Sequence, residues 1–262
     1  MKRIEILGAS GVGKTTLFDK LCSLNEDKVF FCLPDAFKTS AKNSKQAKGL
    51  KKKILLYLLK NNLAFGNELK YSKYILYTSE KSLISKFGNN YFKSFDILYD
   101  NLKKSNSVEK RIKYLNDFIS KIKDIELLEK NLINNDYVLF DEGILHKLPG
   151  INTSIFDIYS KAELKKDKAF DISAIIYCEL SPDIVFKQAL KRKNEGKASF
   201  SHKNLSEHEL ESFVNKNIES VKKAISFYEE LEIPILKINT NDDLNYNFNI
   251  INDFILSLKN VN

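Results

Sequence analysis

Gly8-Ala9-Ser10-Gly11-Val12-Gly13-Lys14-Thr15 satisfies the spacing G-x-x-x-x-G-K-[ST]. That spacing carries a chemistry. Glycines let successive backbone N–H groups turn to one side and cradle phosphate oxygens, and a helix that follows adds the positive end of its dipole. A lysine directly behind the second glycine reaches the outer phosphates, and a hydroxyl beside it is an oxygen ligand suited to Mg²⁺. The sequence thus assigns a phosphate cradle to Gly8, Ala9, Ser10, Gly11, Val12, Gly13, Lys14, Thr15 and Thr16. Lys14 is its charge partner and Thr15 a metal ligand.

Such a loop works with a carboxylate at the tip of a neighbouring strand. Phe140-Asp141-Glu142 offers one directly behind the apolar run Tyr137–Phe140. Asp141 is expected to hold Mg²⁺, and Glu142 to orient or deprotonate a nucleophile. A solvated carboxylate at a strand end is the competing reading of Glu142. ATP with Mg²⁺ is the expected ligand pair. Cys22, Cys32 and Cys178 are too few and too scattered for a disulfide framework or a CxxC metal site, and read as small buried hydrophobes. His146, His202 and His208 lack the spacing of zinc ligands.

These residues need elements to place them. Arg3–Leu7 is an apolar run of strand length, and Thr15–Leu21 resumes with helical spacing. Val29–Leu33, stopped by Pro34, reads as a second strand, Tyr137–Phe140 as a third, Ile172–Cys178 as a fourth and Pro234–Ile238 as a fifth. Short apolar strands separated by helical segments predict a five-stranded parallel sheet covered on both faces. Residues 36–135 form a long helical insertion, in which Ile112, Leu115, Ile119, Ile122, Ile125 and Leu132 line one stripe of a helix over 112–132. Residues 50–59 and 92–102 are shorter helix candidates. Ser181-Pro182-Asp183 opens a helix to about Lys193, and Ser206-Glu207-His208-Glu209 is a capping box for a helix to about Leu231. A last helix starts at Asp242 or Asp243. No Gly/Ser linker or repeat interrupts the chain, so a single domain over residues 1–262 is expected.

With its phosphate loop, Asp141-Glu142-Gly143 and the segment VFKQALKRKNEGK, the chain resembles the nucleoside and nucleotide kinase-like branch of P-loop NTPases. The likeness covers residues 1–35 and 136–262 in outline. It implies an α/β fold, a P-loop NTPase three-layer α/β/α sandwich, with a basic lid at 187–205. The family's lid pattern R-x-x-x-R-x-R is matched here by Lys187, Lys191 and Lys193, with Arg192 the one arginine and the residue expected to close on the γ-phosphate. It also implies that the insertion builds an acceptor pocket and that Asp35 faces the acceptor hydroxyl. Arg111, in the insertion, could hold an anionic acceptor or lie on a solvated helical face. Neither the DR[YH] signature of thymidylate kinases nor the ERS-like signature of deoxynucleoside kinases occurs. Asn239-Thr240-Asn241-Asp242 resembles the guanine-reading NKxD of GTPases, with Thr240 in place of the lysine, but only one helix fits behind it.

Composition bounds the choice. The 262 residues are 43% hydrophobic, which excludes a wholly disordered chain. Ile54–Leu59, the longest apolar stretch in the middle of the chain, has six residues against the roughly 20 that a membrane helix needs. The N-terminus enters a strand-like run at once, so a soluble, cytoplasmic protein without membrane attachment is expected. Net charge is +8 with only three arginines, Arg3, Arg111 and Arg192. Scattered lysines attract anions without selecting one. The expected activity is transfer of the γ-phosphate of ATP to a hydroxyl or phosphate of a nucleoside, nucleotide or other small metabolite. Two alternatives stand beside it. One is an ATPase switch or partner-binding regulator in which Glu142 polarises water. The other is a kinase for polynucleotide ends, suggested by eight lysines and no Asp or Glu in residues 36–60.

Overall fold

The structure, a computed structural model, describes residues 1–25, 29–44, 49–63, 66–77, 90–104, 107–132, 136–148, 150–197 and 202–260. In chain order its strands are β1 (Lys2–Gly8), β2 (Phe31–Cys32), β3 (Tyr137–Phe140), β4 (Ala174–Glu179) and β5 (Ile235–Asn239). Its described helices are α1 (Lys14–Leu24), α2 (Leu33–Asn43), α3 (Leu50–Lys60), α4 (Glu68–Tyr77), α5 (Phe92–Lys103), α6 (Val108–Asn131), α7 (Lys161–Leu164), α8 (Pro182–Asn194), α9 (Glu207–Glu230) and α10 (Leu244–Asn260). The strands form one five-stranded parallel sheet in the order β2-β3-β1-β4-β5. Phe31 pairs with Val138, and Ile175 to Glu179 pair with Ile235 to Asn239 in register. The sheet is the one expected, and the interior of β3, fully buried, has the unbroken apolar sequence of a strand covered on both faces.

The chain divides into two compact units. The first takes Met1–Ile4, Phe30–Leu148 and Leu164–Ile172, and so holds the whole helical insertion. Its core joins Phe37 and Ala41 of α2 to Ile75 and Leu76 of α4 and to Phe118, Ile122, Ile125 and Leu128 of α6, all buried. Segment 164–172 is tied in by polar contacts. Buried Asp167 accepts from the Ser94 amide at 2.8 Å and hydroxyl at 3.0 Å, and Arg3 donates to the Ala169 carbonyl at 2.6 Å. Lys168 bridges Glu126 and Glu129 at 2.9 and 2.8 Å.

Three expectations change in this unit. The apolar run before Pro34 yields a strand of only two residues, because Pro34 opens α2 instead of ending a strand. In the first turn of a helix the missing N–H of proline costs nothing, and its fixed φ suits the helix. The long helix begins at Val108, where the Ser107 side chain accepts from the Lys110 amide, and its early turns overhang: Ile112 is 55% exposed. Of the expected stripe, Ile122, Ile125 and Leu132 are buried and Leu115 and Ile119 half-buried, and the buried face also takes in Phe118, Leu127 and Leu128. The third change is α4, a helix for which the sequence reading had no element.

The second unit takes Glu5–Val29, Pro149–Glu163 and Ser173–Asn262. Within it β4 pairs with β5, α8 packs on α9, and α10 packs on α1 and β5. Phe227 of α9 stacks on Phe156 at 5.0 Å between ring centroids. The capping box is present in full, Ser206 accepting from the Glu209 amide and Glu209 from the Ser206 amide. Ser181 sits at the N-cap of α8 but makes no side-chain cap bond among the described residues. Asp243 accepts from the amides of Asn245 and Tyr246 and so starts α10. Cys178 in β4 and, in the first unit, Cys32 are buried, as expected. Among the described residues, no helix is long and apolar enough to cross a membrane.

Candidate functional site

The loop from Gly8 to Gly13 lies between β1 and α1, where the motif requires a strand on one side and a helix on the other. Gly11 and Gly13 hold φ of +96° and +95°, left-handed values that a side chain disfavours. Gly8 is required for a different reason. A Cβ there would stand 2.8 Å from the Cys178 carbonyl oxygen and 2.9 Å from a methyl of Val12. Inside the loop the Val12 amide donates to the Ala9 carbonyl at 3.3 Å. The amides of Gly11 and Gly13 donate to nothing among the described residues.

Lys14 is 7% exposed, and its Nζ donates to the carbonyls of Gly8 and Ala9, each at 2.9 Å. The ammonium therefore lies folded over the loop, held by two of its backbone carbonyls. Thr15 and Thr16 open α1 and are exposed. Two side chains from distant segments grip the loop from outside. Asn217 of α9 accepts from the Ser10 amide at 2.7 Å, and the Thr240 hydroxyl donates to the Val12 carbonyl at 2.5 Å. Thr240 lies in the tetrad that resembles the guanine-reading motif. Its hydroxyl is spent on the loop, while Asn239 accepts from the Asn241 amide and takes a bond from Asn247 on its carbonyl.

Asp141 directly follows β3, as expected, and is partly buried. Glu142 is an ion-pair partner instead of a lone carboxylate: Lys147 Nζ stands 2.9 Å from it and His146 Nε2 3.7 Å, both from the short 3-10 turn behind it. Nearby in the same unit are two residues the sequence reading missed. Lys73 of α4 pairs with buried Asp124 of α6 at 3.1 Å and lies over the Phe37 ring. Burial pushes the Lys121 ammonium of α6 below the ordinary lysine value, with Asp124 opposing and Lys147 adding to the shift. Asp35 occupies the first turn of α2 and is exposed, where the helix dipole favours a carboxylate. Arg111 lies on the exposed overhang of α6, the solvated face that was one of its two readings.

In the segment expected to form a lid, Lys187 and Lys191 are exposed on α8 and Arg192 is exposed in its last turn. Lys193 donates to the Leu205 carbonyl. Residues 198–201 of that segment lie outside the described residues. His202 is buried with its ring edge-on to Phe213, and its Nε2 has no hydrogen-bond partner among the described residues. Burial, and then the charge of Arg192, hold its imidazole below the ordinary histidine value.

The residues present fit the expected ligands. The loop presents uncommitted amides beside an ammonium, and Thr15 and Asp141 are oxygen donors of the kind Mg²⁺ prefers. Compared with known proteins, the chain matches no family model and no curated protein.

Proposed function

We propose that the protein is an ATP-dependent phosphotransferase acting on a small-molecule acceptor, built as a P-loop NTPase with a three-layer α/β/α arrangement. The observation that carries the reading is the loop Gly8–Thr15: left-handed glycines, uncommitted amides at Gly11 and Gly13, and the Lys14 ammonium folded over it. On ATP binding, Lys14 exchanges the Gly8 and Ala9 carbonyls for phosphate oxygens, and the loop amides donate to the remaining phosphate oxygens. Thr15, in the loop, and Asp141, behind β3, are each a candidate ligand for Mg²⁺, which would neutralise charge on the phosphates. Arg192, exposed at the end of α8, supplies a further cation to the transferring group.

Of the two carboxylates read as proton acceptors, Glu142 is engaged by Lys147 and His146, which favours Asp35 for activating the acceptor hydroxyl. The same pairing weighs against an ATPase switch, which needs Glu142 for water. The lysines of residues 36–60 give little support to a polynucleotide acceptor. Lys52 donates to the Ile75 carbonyl, and Lys51 lies over the Tyr74 ring. Phosphoryl transfer asks for positioning and charge more than for further groups.

The test is incubation with Mg²⁺ and γ-labelled ATP, with pooled nucleosides, nucleotides, sugars or an oligonucleotide. Label on one small-molecule pool is expected. Label released only as free phosphate, equally in every pool, would overturn the kinase reading in favour of the ATPase.

A further inference from the structure

Among the described residues, Asn217 of α9 reaches the loop from outside and accepts from one of its amides, that of Ser10, at 2.7 Å. It sits on the inward face of α9, between buried Val214 and Ile218, so packing of the helix sets where its carboxamide stands. The loop is held on its other side by Thr240 on the Val12 carbonyl at 2.5 Å, which leaves left-handed Gly11 between two anchored neighbours. A carboxamide has two ends. Its Oδ1 is committed to Ser10, whereas its Nδ2 makes no hydrogen bond among the described residues. Turning the group over would set Nδ2 against the Ser10 N–H, donor against donor, so the orientation is locked.

We infer that Asn217 reads the terminal phosphate of the nucleotide, its Nδ2 donating to a γ-phosphate oxygen while its Oδ1 keeps Ser10 in place. This rests on the phosphate-loop reading above. A cradle of this kind encloses the inner phosphates with its amides, and the last phosphate lies toward the rim. Ser10, whose N–H is already taken from the side of α9, belongs to that rim, and a fixed neutral donor beside it suits an anionic oxygen that ADP lacks. The consequence is selectivity. Asn217 contributes to ATP affinity and contributes little to ADP affinity.

The experiment titrates Mg-ATP and Mg-ADP into the full-length parent, Asn217→Ala, Asn217→Asp and Lys14→Ala, at about 0.15 M salt so that long-range charge is screened. Asn217→Asp is the decisive variant, since it keeps an acceptor for Ser10 and replaces the donor with an anion. It is expected to weaken ATP by about tenfold or more and ADP by less than about threefold, with melting temperature unchanged. Asn217→Ala is expected to show the same ATP-selective loss, smaller in size. Equal loss of ATP and ADP in both variants, or an Asn217→Asp protein that binds ATP as the parent does, would make Asn217 a structural clamp and overturn the inference. Lys14→Ala separates this from the parent reading, because it should lose both nucleotides. A parent protein that binds neither would overturn both.

Discussion

At the residue scale, two side-chain facts make sharp predictions. Gly8 stands where a Cβ would lie 2.8 Å from backbone, at the Cys178 carbonyl, so its neighbour cannot simply rotate away. Gly8→Ala is expected to destabilise the chain by about 1–3 kcal/mol, read as a lower urea midpoint at unchanged slope. An unaltered midpoint would mean that β1 and β4 are spaced more widely than described. Lys121 gives the pH dependence. Burial holds its ammonium below the ordinary lysine value, so the folded chain binds that proton more weakly than the unfolded chain does. Stability therefore rises as pH climbs through the window between the folded value and that of an unfolded lysine, about 10.4, and the full penalty stands below it. Lys121→Met is expected to be more stable than the parent at neutral pH and to lose that alkaline rise. Thermal melts of both proteins from neutral pH to about pH 10 check it. A variant that melts lower than the parent at every pH would show that the ammonium is satisfied where it lies.

At the element scale, the entrance of α9 joins the cap to the candidate lid. The Ser206 and Glu209 box precedes a helix of 24 residues that carries Asn217. Ser206→Ala is expected to cost about 1 kcal/mol, and Glu209→Ala on top of it to add less than it costs alone. Strict additivity of the two in denaturation would show that the reciprocal bonds are not coupled. His202, between α8 and α9, is held below the ordinary imidazole value by burial and Arg192. A depressed value in the folded state means stability that is present above about pH 6.5 and lost as pH falls through the folded value. His202→Phe should flatten that acid limb, and a variant with the parent's acid limb would contradict the assignment. The elements also show what was legible. Tyr137–Phe140 was read with its observed bounds, because four apolar residues stand between Asp136 and Asp141. The capping box and the five strands were legible for the same local reasons. Pro34 was misread because a proline that ends a strand and one that opens a helix look alike until the following residues are placed. The Ser10–Asn217 bond joins residues 207 apart and has no local signature. Thr240 was noticed as a decoy, and its hydrogen bond to Val12 is a fact of tertiary packing alone.

At the scale of the whole molecule, the proposed function rests on the loop Gly8–Thr15 more than on net charge. A charge of +8 spread over lysines attracts any polyanion weakly, and such binding falls steeply with salt. Nucleotide binding by a shaped loop is expected to change far less between about 50 and 200 mM salt, because its amides and one ammonium act at short range. The most direct measurement is calorimetric titration of Mg-ATP into the full-length chain and into Lys14→Ala. The account predicts one site per chain in the parent, about tenfold to a hundredfold weaker binding in the variant, and equal melting temperatures without nucleotide. Equal affinity of parent and variant, or no ATP binding by the parent, would contradict it.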